Sequence, residues 1–123
     1  MILVDTSVWI DHLRTSNLML TRLLEDGRVI SHPFVVGELA LGNLRNRREV
    51  LEALTQLPQA AQARDEEVLG FIEAHSLHGE GVGYVDAHLL AAVRLTTDAR
   101  LWTGDRRLRE LAERLSVAFH PEG

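Results

Sequence analysis

Short apolar runs that alternate along this chain with longer segments of helical periodicity constrain its fold most. Ile2-Leu3-Val4 has no polar residue to turn outward, the pattern of a strand buried on both faces, and Asp5-Thr6-Ser7 supplies N-cap chemistry for a helix after it. Ser16 predicts the cap of a second helix carrying Leu18, Leu20, Leu23 and Leu24. Residues 28–31 read as a strand, and Pro33 stands where the first residue of a third helix belongs. A polar helix over 45–57 stops at Pro58, and the weakly apolar 59–63 reads as another strand. Asp65 predicts the cap of a helix to His75, and the glycine-rich 79–83 leads into a helix with Leu89, Leu90, Ala92 and Val93 inside. A strand over 101–103, a helix over 106–115 and a last strand over 117–119 complete the pattern.

Such alternation predicts an α/β fold, a parallel sheet of four to five strands covered by helices on both faces. At 123 residues the expectation is one domain, 1–123. The chain has no cysteine, which excludes disulfides and thiolate metal sites and leaves oxygen or imidazole as ligands. All 13 basic side chains other than histidine are arginine, which excludes mechanisms built on a lysine Schiff base or phosphate clamp. Residues 1–5 lack the basic region and cleavage site of a signal peptide, and no apolar run reaches the length of a membrane span. The expected location is the cytoplasm, away from membranes.

In an open α/β sheet, ligands bind outside the carboxyl ends of the strands. Asp5 directly follows the first predicted strand, and Asp105 follows the 101–103 strand with one glycine between. Glu38 shares a helical face with Phe34, Val35 and Leu41, and Asp86 shares one with Leu89, Leu90 and Val93, so both acids are expected to face inward. A buried unpaired carboxylate costs several kcal/mol as an order of magnitude, so each needs a partner. Taken singly, Asp5 and Asp105 are explained as N-caps, and Glu38 and Asp86 as ion pairs with an arginine such as Arg94. Taken together, four acids point to a hard divalent cation.

Four ordered blocks carry a resemblance: 2–10 (ILVDTSVWI), 36–39 (VGEL), 83–90 (GYVDAHLL) and 101–108 (LWTGDRRL). Together they resemble a PIN domain of the VapC class, the toxins of type II toxin–antitoxin pairs. The resemblance implies a three-layer α/β/α sandwich, magnesium- or manganese-dependent cleavage of RNA, a homodimer and a cognate antitoxin. It places the metal-site acids on Asp5, Glu38, Asp86 and Asp105, and the hydroxyls that orient them on Thr6, Ser7 and Thr103. One or two ions are compatible with this set; magnesium takes six oxygen ligands and keeps several waters.

Arg45, Arg47 and Arg48, and Arg106, Arg107 and Arg109, form two basic groups expected either to grip RNA phosphates or to be ordinary solvated helix faces. Trp9, Phe34 and Trp102 read as core or dimer-face residues. A phospho-signalling receiver domain shares the length and β/α order but needs a lysine, which is missing. A PIN-like scaffold that binds RNA or protein without cutting has no use for four converging carboxylates, which repel RNA when no cation is present. The net charge of −5 is unusual for a protein that binds a polyanion.

Overall fold

The computed structural model describes residues 1–122. Three strands, β1 (Ile2–Val4), β2 (Val29–Ile30) and β3 (Arg100–Trp102), form a parallel sheet in the order β2-β1-β3. The register pairs Ile2 with Val29 and Arg100, and Val4 with Trp102. Leu3 and Val4 at the centre are wholly buried, as a strand covered on both faces requires.

Each predicted edge strand is reduced to a single bridge, Ser31 with Gln59 on one side and Leu101 with Ala118 on the other. On the first edge Pro58 has no N–H to extend the ladder, and the Ala61 N–H turns away to Thr96 Oγ1 at 2.9 Å. The sheet therefore has three full strands where four to five were expected, but the two edge segments lie where the sequence put them.

Among the described residues seven helices form a three-layer sandwich with the sheet: α1 (Thr6–Arg14), α2 (Leu18–Glu25), α3 (Pro33–Leu41), α4 (Arg47–Gln56), α5 (Asp65–Ala74), α6 (Tyr84–Leu95) and α7 (Arg106–Arg114). The predicted caps shift by one residue at two helices. Asn17, not Ser16, caps α2, its Oδ1 accepting from Leu20 N–H at 3.0 Å. Arg64 precedes α5, and its backbone N–H donates to Glu67 Oε1, so Asp65 is the first helical residue and its side chain is released for another role.

On α6 every residue from 87 to 93 is buried, so this helix lies inside the molecule, against α5 and β3. On α7 only Leu108, Leu111 and Ala112 are buried, the single stripe of a surface helix. Helices α2, α5 and α7 end in the same way, with the residue after the cap in the left-handed region: Gly27, Ser76 and Ser116. In α7 the Val117 N–H reaches the Ala112 carbonyl at 2.8 Å and the Ser116 N–H reaches Glu113 at 3.0 Å, which satisfies the last carbonyls and turns the chain toward the edge of the sheet.

Candidate active site

Because all three strands run the same way, their carboxyl ends meet on one edge, and Asp5 is the first residue past β1. Its N–H donates to the Trp102 carbonyl at 2.9 Å, drawing the loop after β3 to the same place. Asp5 is only 7 % exposed, and its carboxylate accepts three hydrogen bonds. Thr6 N–H reaches Oδ1 at 2.7 Å; the hydroxyls of Ser7 and Thr103 reach Oδ2 at 3.2 and 2.7 Å. This is how a carboxylate is tolerated at a buried strand end.

Both hydroxyls also accept. Ser7 Oγ takes the Gly104 N–H and Thr103 Oγ1 takes the Asp105 N–H, each at 3.0 Å. A Cβ on residue 104 would stand 3.3 Å from Ser7 Oγ, so glycine admits the close approach of the two segments. Asp105 then caps α7, its Oδ1 accepting from Leu108 N–H at 3.0 Å. The capping explanation of Asp5 and Asp105 is thus true of both, and it accounts for only part of each carboxylate.

Asp86, in the first turn of α6, is half-buried, and its Oδ2 accepts the Gly83 N–H at 3.2 Å. Glu38, on α3, departs from its expected inward placement. Phe34 and Leu41 on its face are 37 % and 91 % exposed, while Val35 and Leu39 hold the core side of that helix. The apolar residues on both sides of α3 hid its orientation, since the helix has almost no amphipathic contrast in sequence. Glu38 is solvent-exposed and reaches the site through Thr6, whose hydroxyl donates to Oε1 at 2.8 Å. Arg94 is partner to neither acid; it donates to the Leu115 carbonyl.

Electrostatics place the four acids in one neighbourhood. Burial raises the Asp86 pKa, the Gly83 N–H opposes this, and the fields of Asp5, Asp105 and Glu38 push it further up. One oxygen each of Asp86, Asp105 and Glu38 is anchored by the protein; the other, Oδ1, Oδ2 and Oε2 respectively, accepts no hydrogen bond among the described residues. No three acids or histidines among the described residues are spaced to enclose an ion by themselves. The arrangement is an open, oxygen-only cluster with anchored carboxylates and unused lone pairs. That donor set suits a hard cation that keeps part of its water shell.

The predicted arginines divide. Arg47 donates to the Ala40 carbonyl at 2.9 Å, Arg106 pairs with Glu110 at 3.1 Å, and the Arg107 guanidinium lies where a Cβ on Gly81 would be. Arg45 and Arg48 have no ion pair or side-chain hydrogen bond among the described residues, and Arg45 lines a groove of about 660 Å³ together with Arg14, Glu38, Ile10, Leu13 and Leu44. Arg14 went unnoticed in the sequence because only the fold sets the end of α1 against the 42–46 loop.

A second cluster was also missed. Asp65 Oδ1 accepts from the Tyr84 hydroxyl at 3.0 Å and lies 3.2 Å from Nε2 of the buried His88. The Phe34 and Tyr84 rings each pack edge-on to His88 with centroids 4.7 Å apart. His32 caps α3 through Nδ1, which accepts the Phe34 N–H at 3.0 Å, and its ring packs on Phe34 at 5.2 Å. Burial, and then the neighbouring His88, push the His32 pKa down to about 4, so it is neutral at physiological pH.

Comparison with known proteins places these features in a family context. A family model described as PIN domain matches residues 2–114. The curated protein Ribonuclease VapC32 of Mycobacterium tuberculosis, in strains CDC 1551 / Oshkosh and ATCC 25618 / H37Rv, is 46% identical over 122 residues, covering 99% of this chain and 98% of its own length. The crystal structure of FitAcB from Neisseria gonorrhoeae matches with a TM-score of 0.64 at 23% identity, covering 99% of each chain, a likeness of fold.

Proposed function

The chain belongs to the PIN-domain family and to its VapC group, and from that premise we propose that it is a magnesium- or manganese-dependent endoribonuclease, the toxin of a toxin–antitoxin pair. The observation that supports this reading is that Thr103 joins Asp5 to Asp105, Thr6 is hydrogen-bonded to both Asp5 and Glu38, and the fields of these three acids reach Asp86, three of the four having a carboxylate oxygen that accepts no hydrogen bond among the described residues. The full-length similarity to a protein named a ribonuclease supports it.

In this mechanism Asp5, Glu38, Asp86 and Asp105 would hold one or two cations, Glu38, Asp86 and Asp105 each bringing an oxygen that accepts no hydrogen bond among the described residues and Asp5 a carboxylate fixed by three donors. When bound, the cation acidifies water and offsets the charge that builds on the phosphoryl oxygens. Thr103 and Ser7 hold Asp5 in one rotamer and fix the Asp105 loop, while Thr6 holds Glu38; such partners orient the liganding groups. Arg45, which lines the groove with Glu38, and Arg48 have no ion pair or side-chain hydrogen bond among the described residues and would take phosphates of the substrate, whereas Arg47, Arg106 and Arg107 would do so only by leaving their present contacts. The proposed protein is a single nuclease domain, a cytoplasmic homodimer held in check by its cognate antitoxin.

The test is incubation of the purified protein with total bacterial RNA, in manganese or magnesium against excess chelator, beside Asp5→Asn. Metal-dependent cleavage that Asp5→Asn lacks establishes the nuclease. Cation binding without cleavage of any RNA points to a silent PIN-like scaffold, and absence of cation binding returns the four acids to caps and local hydrogen bonds.

A further inference from the structure

The chain contains three Phe, two Trp and one Tyr, and the structure exposes two of the six, Phe34 at 37 % and Tyr84 at 45 %. Trp9 and Trp102 are buried, and Phe71 and Phe119 pack against the core. The two exposed rings are not scattered. Phe34 lies in the first turn of α3, one turn before Glu38, and Tyr84 opens α6, two residues before Asp86. Both lean on one buried imidazole, His88, and Tyr84 is further tied by its hydroxyl to Asp65. These contacts hold both rings on His88 while leaving part of each in water, Phe34 one turn from Glu38 on α3 and Tyr84 in the same first turn of α6 as Asp86.

We propose that Phe34 and Tyr84 form a stacking platform for unpaired bases of the RNA beside the scissile phosphate; this rests on the nuclease reading above. The net charge explains why such a platform is needed. A chain at −5 with four carboxylates at its site gains less from phosphate contacts than a basic one, and Arg47 and Arg106 already have protein partners. Stacking is indifferent to that field, because every base presents a π-face, and it contributes about 1–3 kcal/mol per base. The buried His88 and the Asp65 hydrogen bond set the rings in advance, so little side-chain freedom is lost on binding. A base paired within a duplex cannot reach the rings without leaving its stack, so the platform selects loops and single strands.

The experiment is a fluorescence-anisotropy titration of the full chain with a short labelled single-stranded RNA and with an abasic oligomer of the same backbone. Calcium replaces magnesium, to neutralise the acids without imposing the tight octahedral geometry of the smaller ion. The wild type should bind the base-bearing strand more tightly, by roughly 5- to 150-fold per stacked base. Phe34→Ala and Tyr84→Ala should each lose most of that preference, leave binding of the abasic oligomer unchanged, and keep the salt dependence of binding, whereas Arg45→Ala should flatten it. Phe34→Trp and Tyr84→Phe keep a ring and should keep the preference. Equal loss on both oligomers, or no loss from either alanine variant, overturns the platform. Metal-dependent cleavage is scored separately, so a cutting enzyme without base preference refutes only the platform, and base-dependent binding without cutting refutes only the nuclease.

Discussion

Thr103 offers the sharpest test of how the site is built, because one buried hydroxyl serves both Asp5 and Asp105. Thr103→Val keeps the shape and removes the hydroxyl, so Asp5 loses its 2.7 Å donor and the Asp105 N–H loses its acceptor. A hydrogen bond to a charged group is worth about 1.5–3 kcal/mol and a neutral one about 1 kcal/mol, so the variant should lose roughly 2.5–4 kcal/mol of stability. In a domain of this size that lowers Tm by about 10–15 °C. Thr103→Ser keeps both bonds and gives up a buried methyl, at a cost of about 1 kcal/mol. The assay is urea unfolding at neutral pH, with the slope against denaturant checked for constancy across the three proteins. Cation affinity, followed by titration calorimetry, should fall about 10- to 100-fold in the valine variant and remain near wild type in the serine variant. If Thr103→Val unfolds at the same denaturant concentration as Thr103→Ser, the hydroxyl does not hold the acid cluster and the argument fails.

Asp5→Asn, Glu38→Gln, Asp86→Asn and Asp105→Asn should each lower RNA cleavage by about 100-fold or more while the circular dichroism spectrum stays that of the folded protein; full activity in any one removes that residue from the site. Because the folded-state pKa of Asp86 is raised, the cation-free protein should lose stability as pH rises through that pKa, and Asp86→Asn should remove this loss in thermal scans. His32 works in the opposite sense. Its pKa of about 4 lies below that of the unfolded chain, so stability should be lost as pH falls from about 6.5 toward 4, by about 3 kcal/mol. His32→Asn, which keeps a capping acceptor but does not titrate, should flatten that part of the pH–stability curve measured in urea; an unchanged curve would refute the assignment. Ser116→Gly relieves a left-handed residue at the end of α7 and should raise stability by about 1 kcal/mol in the same unfolding assay.

Much of the fold follows from local rules that act within a few residues. The apolar Ile2-Leu3-Val4 run, Pro33 at a helix start and the Leu108-Leu111-Ala112 stripe depend on backbone sterics and on burial of one helical face, so the sequence determined the alternation of elements, the parallel sheet and the acids at the strand ends. Edge strands are less legible. At 59–63 and 117–119 pairing depends on whether a neighbour's unpaired backbone groups lie within reach, and the outcome is a single bridge on each side. The sequence pattern turned Glu38 inward, wrongly, because apolar residues occur on both sides of α3; only packing against α1 and α4 decided that Val35 and Leu39 turn in and Glu38 turns out.

The same division holds at the candidate site. Asp5 and Asp105 past the strand ends and the half-buried Asp86 were legible because a carboxylate beside Leu89 or at the end of a buried strand conflicts with its surroundings and calls for a partner, whereas Glu38 was singled out by an inward placement that the structure does not have. The hydrogen bonds from Thr103 to Asp5, 98 residues apart, and from Thr6 to Glu38 exist only because parallel strands bring distant loops to one edge. The packing of Phe34 and Tyr84 on His88 is of that kind as well: periodicity assigned Phe34 to an apolar face, and tertiary structure left that face in water beside the acids. Residue type and local spacing determined which chemistry this chain carries, and the meeting of strand ends determined where the charges converge, because attraction and repulsion among carboxylates depend on distance through space and not along the chain.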